Sequence, residues 1–131
     1  AARSLLRLGH LVADPRYLQA AEGAVKGAGQ SIEELPHGHC SLLDALEEIL
    51  YPPRLVILRG ARPAMASWHR KALADYAPRR QTAAIPEGAT DLPEALAARH
   101  ARGPVTAWVC RGHECHAPTD DYGAFEQALT D

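Results

Sequence analysis

The chain has 131 residues, 47% of them hydrophobic and 23% charged, as in ordinary globular domains. A net charge of −2 provides no basic surface for nucleic acid, and 5% aromatic residues leave few platforms for stacking bases. No apolar run approaches the roughly 20 residues that span a bilayer, so we expect a cytoplasmic protein with neither membrane nor nucleic acid among its partners.

The first part of the chain, residues 1–53, predicts only helices. Asp14-Pro15 combines an N-cap acceptor with proline at the first helical position, so a helix should begin there. Apolar residues recur at three- and four-residue steps over 18–32, which predicts one long helix. A third helix with a broad apolar face covers 42–50, and two prolines at 52–53 end the region. The pattern predicts a helical hairpin preceded by the tail of another helix.

The second part, residues 54–131, alternates between strand and helix patterns. Short apolar runs predict strands at 55–58, 81–85 and 105–110, and helical spacing follows at 63–76, at 91–99 and from Thr119 or Asp120 onward. Strands that alternate with helices favour a parallel sheet with right-handed crossovers. We therefore expect an α/β protein, in which a small three-stranded, mainly parallel β-α-β-α-β-α subdomain follows the helical hairpin.

Two cysteines, Cys110 and Cys115, end the third predicted strand and its following loop. Ligands and chemistry in open α/β sheets lie at the carboxyl ends of parallel strands, so this pair is the first candidate site. Three cysteines in total do not suggest a secreted disulfide scaffold. The spacing allows a reversible thiol pair, a structural disulfide, or two reduced cysteines packed as small hydrophobic residues.

Histidines near these cysteines raise the question of a metal site. His113 and His116 interleave with the cysteine pair, and a second run contains His37, His39 and Cys40. Thiolate and imidazole are the ligands that zinc prefers, but neither run has the spacing of a structural zinc site. We expect no bound metal and no cofactor, with His113 and His116 as the residues to examine.

Charged clusters elsewhere have simpler interpretations. The segment from Arg59 to Pro63 follows a strand and opens a helix, where backbone N–H groups can hold an anion. No nucleotide-binding glycine motif is present, so we interpret it as a sharp turn with solvated arginines. Adjacent acids diverge on a helix, so we interpret Glu33-Glu34, Glu47-Glu48 and Asp120-Asp121 as solvated charges.

With these residues in view, the chain resembles the C-terminal end of a family that joins a thioredoxin-like domain to a six-hairpin α/α barrel. The spermatogenesis-associated thioredoxin-like proteins and their bacterial relatives belong to this family. Two matching features are the helix, prolines and strand over 42–57, and a strand reading VILRG before a helix. The most specific feature is a terminal strand that ends aromatic-Val-Cys and is followed by a second cysteine and a proline. In this sequence those residues are Trp108, Val109, Cys110, Cys115 and Pro118.

The resemblance implies that this chain is a C-terminal fragment of a larger protein whose activity is poorly defined. The chain begins AARSLLRLGH, without methionine and inside a predicted helix, which also suggests a fragment. Residues 1–53 would then be the end of the barrel, and the role would be structural, with the parent protein or a second copy as partner. Two alternatives remain: a thiol–disulfide redox module using Cys110 and Cys115, and part of an epimerase- or glycosidase-like enzyme whose active site lies outside this fragment.

Overall fold

A computed structural model describes residues 1–112 and 114–130, and it shows a mixed α/β protein. The chain forms two compact units, Ala1–Pro53 and a second unit that starts at Arg54. Within the described residues, no helix has the length and apolar character needed to cross a bilayer.

The first unit is helical. Its elements are α1 (Ala2–Val12), α2 (Pro15–Gly27), α3 (Gly29–Glu34), a 3₁₀ helix (Pro36–His39) and α4 (Cys40–Leu50). The predicted start at Pro15 is confirmed, since the side chain of Asp14 accepts a hydrogen bond from the amide of Arg16. The prediction of a single long helix over 18–32 is wrong. The helix is interrupted at Ala28, and the apolar spacing continues across that interruption.

Helices α1, α2 and α4 pack around one small core. Its buried residues are Ala2, Leu6, Ala21, Val25 and Ala45, and partly buried leucines surround them. The close approach of α1 and α2 depends on Gly9, which has no side chain. A Cβ atom on Gly9 would lie only 2.6 Å from Cδ2 of Leu18, so a larger residue there would push the two helices apart.

The second unit is a mixed sheet with helices. Its elements are β1 (Arg54–Gly60), α5 (Arg62–Ala74), β2 (Arg80–Pro86), α6 (Glu94–Ala97), β3 (Val105–Arg111), β4 (Glu114–Cys115) and α7 (Tyr122–Thr130). The strand order is β2-β1-β3-β4. β1 pairs with β2 in parallel, whereas β3 runs antiparallel to β1 and β4 antiparallel to β3.

The prediction of a three-stranded, mainly parallel sheet is therefore wrong for the third strand. A parallel β3 would need the chain to return the length of a seven-residue strand, about 23 Å. The only helix between β2 and β3 is α6, whose four residues span about 6 Å. Pro86, at the end of β2, and Val105, at the start of β3, both lie beside Gly60. The connection therefore stays at one end of the strands, and β3 runs antiparallel to β1.

One face of the sheet forms the core of this unit. Helices α5 and α7 pack against alternate residues of β1 and β3, and the buried cluster contains Val56, Leu58, Met65, Trp68, Ala72, Val105, Ala107, Val109, Phe125 and Leu129. Leu73 and Tyr76, predicted to continue the buried face of α5, are instead 60% and 95% exposed. The reason is that α5 ends at Ala74, and Leu73 lies about 100° around the helix from buried Ala72.

Candidate functional site

The two cysteines of the candidate site face each other across a hairpin that the sequence did not predict. Arg111 pairs with Glu114 and Cys110 pairs with Cys115 in antiparallel register. The hairpin turn includes Gly112, whose φ of 58° suits glycine. The His116 amide donates to the Val109 carbonyl at 2.9 Å. Hydrogen-bonded and non-hydrogen-bonded pairs alternate, so the cysteines form a non-hydrogen-bonded pair, where side chains lie closest.

This geometry places the two sulfur atoms within bonding distance. Cys110 and Cys115 are joined by a disulfide, and their Cα atoms are 3.9 Å apart. Cys110 is 3% exposed, whereas Cys115 is exposed at the edge of the sheet. Of the alternatives that the sequence left open, the disulfide is the one in the structure, and it fastens the edge strand to the buried strand.

The position of the pair in the sheet differs from the sequence expectation. Because β3 runs antiparallel to β1, Cys110 lies opposite Leu55, near the amino-terminal ends of β1 and β2. The carboxyl ends of the two parallel strands, at Gly60 and Pro86, lie at the opposite end of the sheet along the strand direction. The disulfide therefore does not lie at the carboxyl ends of the parallel strands, where α/β sheets bind their ligands.

A cavity of about 290 Å³ borders the hairpin. Its lining residues are Arg54, Val109, Cys110, Arg111, Glu114, Cys115 and His116. Side chains alternate between the faces of a strand, so those of Cys110 and Cys115 belong to the opposite face from Arg111 and Glu114. The charged residues Arg54, Arg111 and Glu114 thus line this cavity together with Val109, His116 and the two cysteines.

Three arginines stand side by side across the same end of the sheet. Arg80, Arg54 and Arg111 are direct neighbours in the register of β2, β1 and β3. Like charges placed opposite one another repel, but two of these side chains bind carbonyl groups at helix ends. Arg80 donates to Ala72 O at 2.8 Å and to Leu129 O at 3.2 Å, and Arg54 also donates to Leu129 O. Their positive charge thus stabilises the carboxyl-terminal ends of α5 and α7.

The metal candidates do not assemble into a site among the described residues. His116 lies opposite Val109, on the other face of the strand from the cysteine side chains. The disulfide also removes both thiolates, which are the form of cysteine that binds metal. Residues 1–112 and 114–130 contain no group of three or more His, Cys, Asp or Glu side chains placed to hold a metal ion. The prediction of His113 as a candidate metal ligand concerns a residue outside this part of the chain.

One acid interpreted as solvated is buried. Glu48 is 1% exposed and accepts hydrogen bonds from Nε of Arg3 at 2.8 Å and Nη2 of Arg7 at 2.7 Å. Burial by itself raises the pKa of Glu48, but the hydrogen bonds and charges of the two arginines outweigh it and lower that pKa overall. The cluster ties α4 to α1 within the helical unit. The sequence signal is Arg3 and Arg7, four residues apart on one helix face.

At the carboxyl edge of β1, a second polar network holds the loop before β3. The hydroxyl of Thr106 donates to Oδ1 of Asp120 at 2.6 Å and accepts from the amide of Arg102 at 2.8 Å. Thr106 is completely buried, so these bonds satisfy a hydroxyl that has no access to water. Asp121, rather than the predicted Thr119 or Asp120, caps α7 by accepting from the amide of Ala124 at 2.7 Å.

Arg59, interpreted as a solvated arginine, lies at this edge and is only 4% exposed. Its Nε and Nη1 atoms are buried and have no hydrogen-bond partner. Arg62, the other arginine of the same segment, is exposed as predicted.

Comparisons of the chain with protein-family models, curated proteins and solved structures found no match.

Proposed function

We propose that this chain is a non-catalytic C-terminal region of a larger thioredoxin-like and α/α-barrel protein, and that it has a structural, domain-packing role. The resemblance of the chain to that family motivates the assignment. In this proposal, residues 1–53 are the end of the barrel and the unit from Arg54 onward is an accessory subdomain. The partners are the rest of the parent protein or a second copy of the chain.

The exposed apolar end of α5 is the observation that carries this proposal. Leu73 is 60% exposed and Tyr76 is 95% exposed, three residues further along the chain. Large apolar side chains that lie close together on a surface are characteristic of contact sites. Leu50 and Tyr51, at the end of α4, are also 63% and 61% exposed. Each unit therefore carries an apolar surface suited to packing against another part of a larger assembly.

Sedimentation velocity over a wide concentration range tests this role. We expect the chain to self-associate through Leu73 and Tyr76, and a double variant with Leu73→Lys and Tyr76→Lys to remain monomeric. Replacement of the exposed residues Ala66 and Ser67 by Lys adds the same charge to α5, is the matched control and should leave association unchanged. A wild-type chain that stays monomeric throughout the range, or a double variant that associates equally well, would contradict the proposal.

The second candidate is a thiol–disulfide module that uses Cys110 and Cys115. It is favoured by the exposed position of Cys115 in the edge strand, because an external thiolate can reach that sulfur atom. The incoming thiolate would bond to Sγ of Cys115, and Cys110 would leave with the electron pair and take a proton from solvent. A second external thiolate would then attack the sulfur atom of the first, releasing Cys115 as a thiol and forming the external disulfide. In the cytoplasm that we expect for this protein, disulfides are rare and are usually transient, catalytic or redox-sensing.

Counting free thiols with and without a low-molecular-weight thiol such as glutathione tests the module. We expect two additional thiols per chain to appear at physiological thiol–disulfide ratios if the pair exchanges. Cys40 is an exposed free cysteine and must be replaced by serine so that it cannot contribute to the change. An unchanged count would remove the module and leave the structural proposal.

A further inference from the structure

Arg59 is a buried arginine without an ion-pair partner among the described residues. The residue is 4% exposed, and its Nε and Nη1 atoms are buried without an acceptor. The guanidinium group carries a positive charge, and no carboxylate among the described residues pairs with it. A buried charge without a counter-ion is costly, and a bound ion or water is one way in which proteins satisfy such a group.

The residues next to Arg59 cannot supply that partner. In the sheet register Arg59 lies between Ile85 of β2, which is apolar, and Thr106 of β3. Thr106 already uses its hydroxyl group in two hydrogen bonds, to Asp120 and from Arg102. No carboxylate among residues 1–112 and 114–130 forms an ion pair with Arg59.

The backbone carbonyl groups at this edge are also engaged. The Gly60 carbonyl accepts from the amide of Glu87 at 3.1 Å, and the Pro104 carbonyl accepts from the amide of Ala61 at 3.4 Å. Thus the loop that joins β2 to β3 closes around the end of β1 through these two carbonyl groups, and Nε and Nη1 of Arg59 have no acceptor.

The place of Arg59 in the fold suits a ligand. It is the penultimate residue of β1, at the edge where the parallel strands β1 and β2 both end and α5 begins. Open α/β sheets bind ligands outside the carboxyl ends of such strands. Side chains alternate along β1, and Leu58 faces α5, so the Arg59 side chain lies on the other face of the sheet, near the carboxyl ends of the two parallel strands.

We propose that Arg59 binds an oxyanion, a phosphate or carboxylate group that is not part of this chain. The planar guanidinium offers donors in a geometry that matches two oxygens of such a group, and charge-assisted bonds of this kind are among the stronger hydrogen bonds in proteins. The oxyanion restores the counter-charge that the described residues do not provide. The site is separate from the disulfide, which lies at the other edge of the sheet.

The test measures the thermal midpoint of the whole chain in increasing inorganic phosphate and, separately, acetate, each at ionic strength matched with sodium chloride. The variant Arg59→Met removes the charge and keeps an extended side chain. Arg111→Met removes an exposed arginine from the neighbouring strand and is the control. We expect a saturable increase in the midpoint of about 5 °C for the wild type and the control with at least one anion, and no increase for Arg59→Met.

Two further readouts make the result independent of folding yield. In sodium chloride alone, Arg59→Met should be at least as stable as the wild type, because it removes an uncompensated buried charge. In the wild type, the Nε–H resonance of Arg59 should shift along the same binding curve as the thermal midpoint. A response to phosphate alone identifies a phosphate-bearing ligand, and a response to acetate identifies a carboxylate. No saturable response to either anion, an equal response in Arg59→Met, or marked destabilisation by Arg59→Met in chloride would overturn the proposal.

Discussion

The buried carboxylate of Glu48 provides the sharpest stability prediction for the helical unit. Loss of one partner from a fully buried ion pair costs about 3–5 kcal/mol. Here the arginine side chains stay in partial contact with water, since Arg3 is 36% and Arg7 30% exposed. We therefore expect Glu48→Gln, which preserves shape and removes charge, to lower the free energy of unfolding by about 2 kcal/mol.

The contribution of Glu48 should also depend on pH. Because the pKa of Glu48 is lower in the folded chain, its stabilising effect is fully present above the unfolded value of about 4.3. That effect is lost as the pH falls through the lower, folded pKa. The difference in unfolding free energy between wild type and Glu48→Gln should therefore be constant near neutral pH and shrink below about pH 4.3.

Urea unfolding followed by far-ultraviolet circular dichroism measures both effects. Glu33→Gln is the control, since Glu33 belongs to the same helical unit and is exposed. This control should change the free energy of unfolding by no more than about 0.5 kcal/mol. Equal stability of the two variants at neutral pH, or a difference between wild type and Glu48→Gln that grows with acid, would refute the reasoning.

Three further substitutions test the sheet unit by thermal and urea unfolding. Gly60→Ala should lower the free energy of unfolding by about 2 kcal/mol or more, because φ is 153° there and an added Cβ would overlap the Pro104 carbonyl oxygen. An unchanged stability would contradict the path of the β2–β3 connection. Thr106→Val should cost about 1–3 kcal/mol, because it leaves the amide of Arg102 unbonded, and a neutral effect would argue against that hydrogen bond. Arg80→Met should cost about 1 kcal/mol by removing the bonds to the ends of α5 and α7, whereas Arg79→Met, with an exposed side chain, should cost less.

Local patterns in the sequence predicted β1, β2, β3 and most helices because neighbouring residues determine them. Asp14-Pro15 starts a helix in any context, and the apolar run at 55–58 forms a strand buried in the sheet. Strand direction is a property of the connection. The helical spacing over 91–99 suggested a crossover, but Asp91 has a φ of 57° and only Glu94–Ala97 is helical. The connection instead stays at one end of the strands, and β3 runs antiparallel to β1.

Charged residues were the other limit of the sequence analysis. Glu48 and Arg59 are each 4% exposed or less, although their neighbours Glu47 and Arg62 are exposed. Sequence spacing alone does not show which of two nearby charged residues is buried. The hairpin between Cys110 and Cys115 was similarly missed, because β4 has only two residues and no apolar alternation. The cysteine pair was chosen as a candidate because its spacing permits a bond across a turn, and the structure contains that bond.

The reduction potential of the Cys110–Cys115 disulfide tests the structural role most directly, because it separates that role from thiol exchange. It can be measured on the Cys40→Ser chain by equilibration with thiol–disulfide buffers and quantification of the two redox forms. A structural bridge that fastens β4 to the buried strand β3 should have a potential below about −300 mV. A potential between about −270 and −120 mV, the range of thiol oxidoreductases, would contradict the structural role and identify the hairpin as a working redox pair.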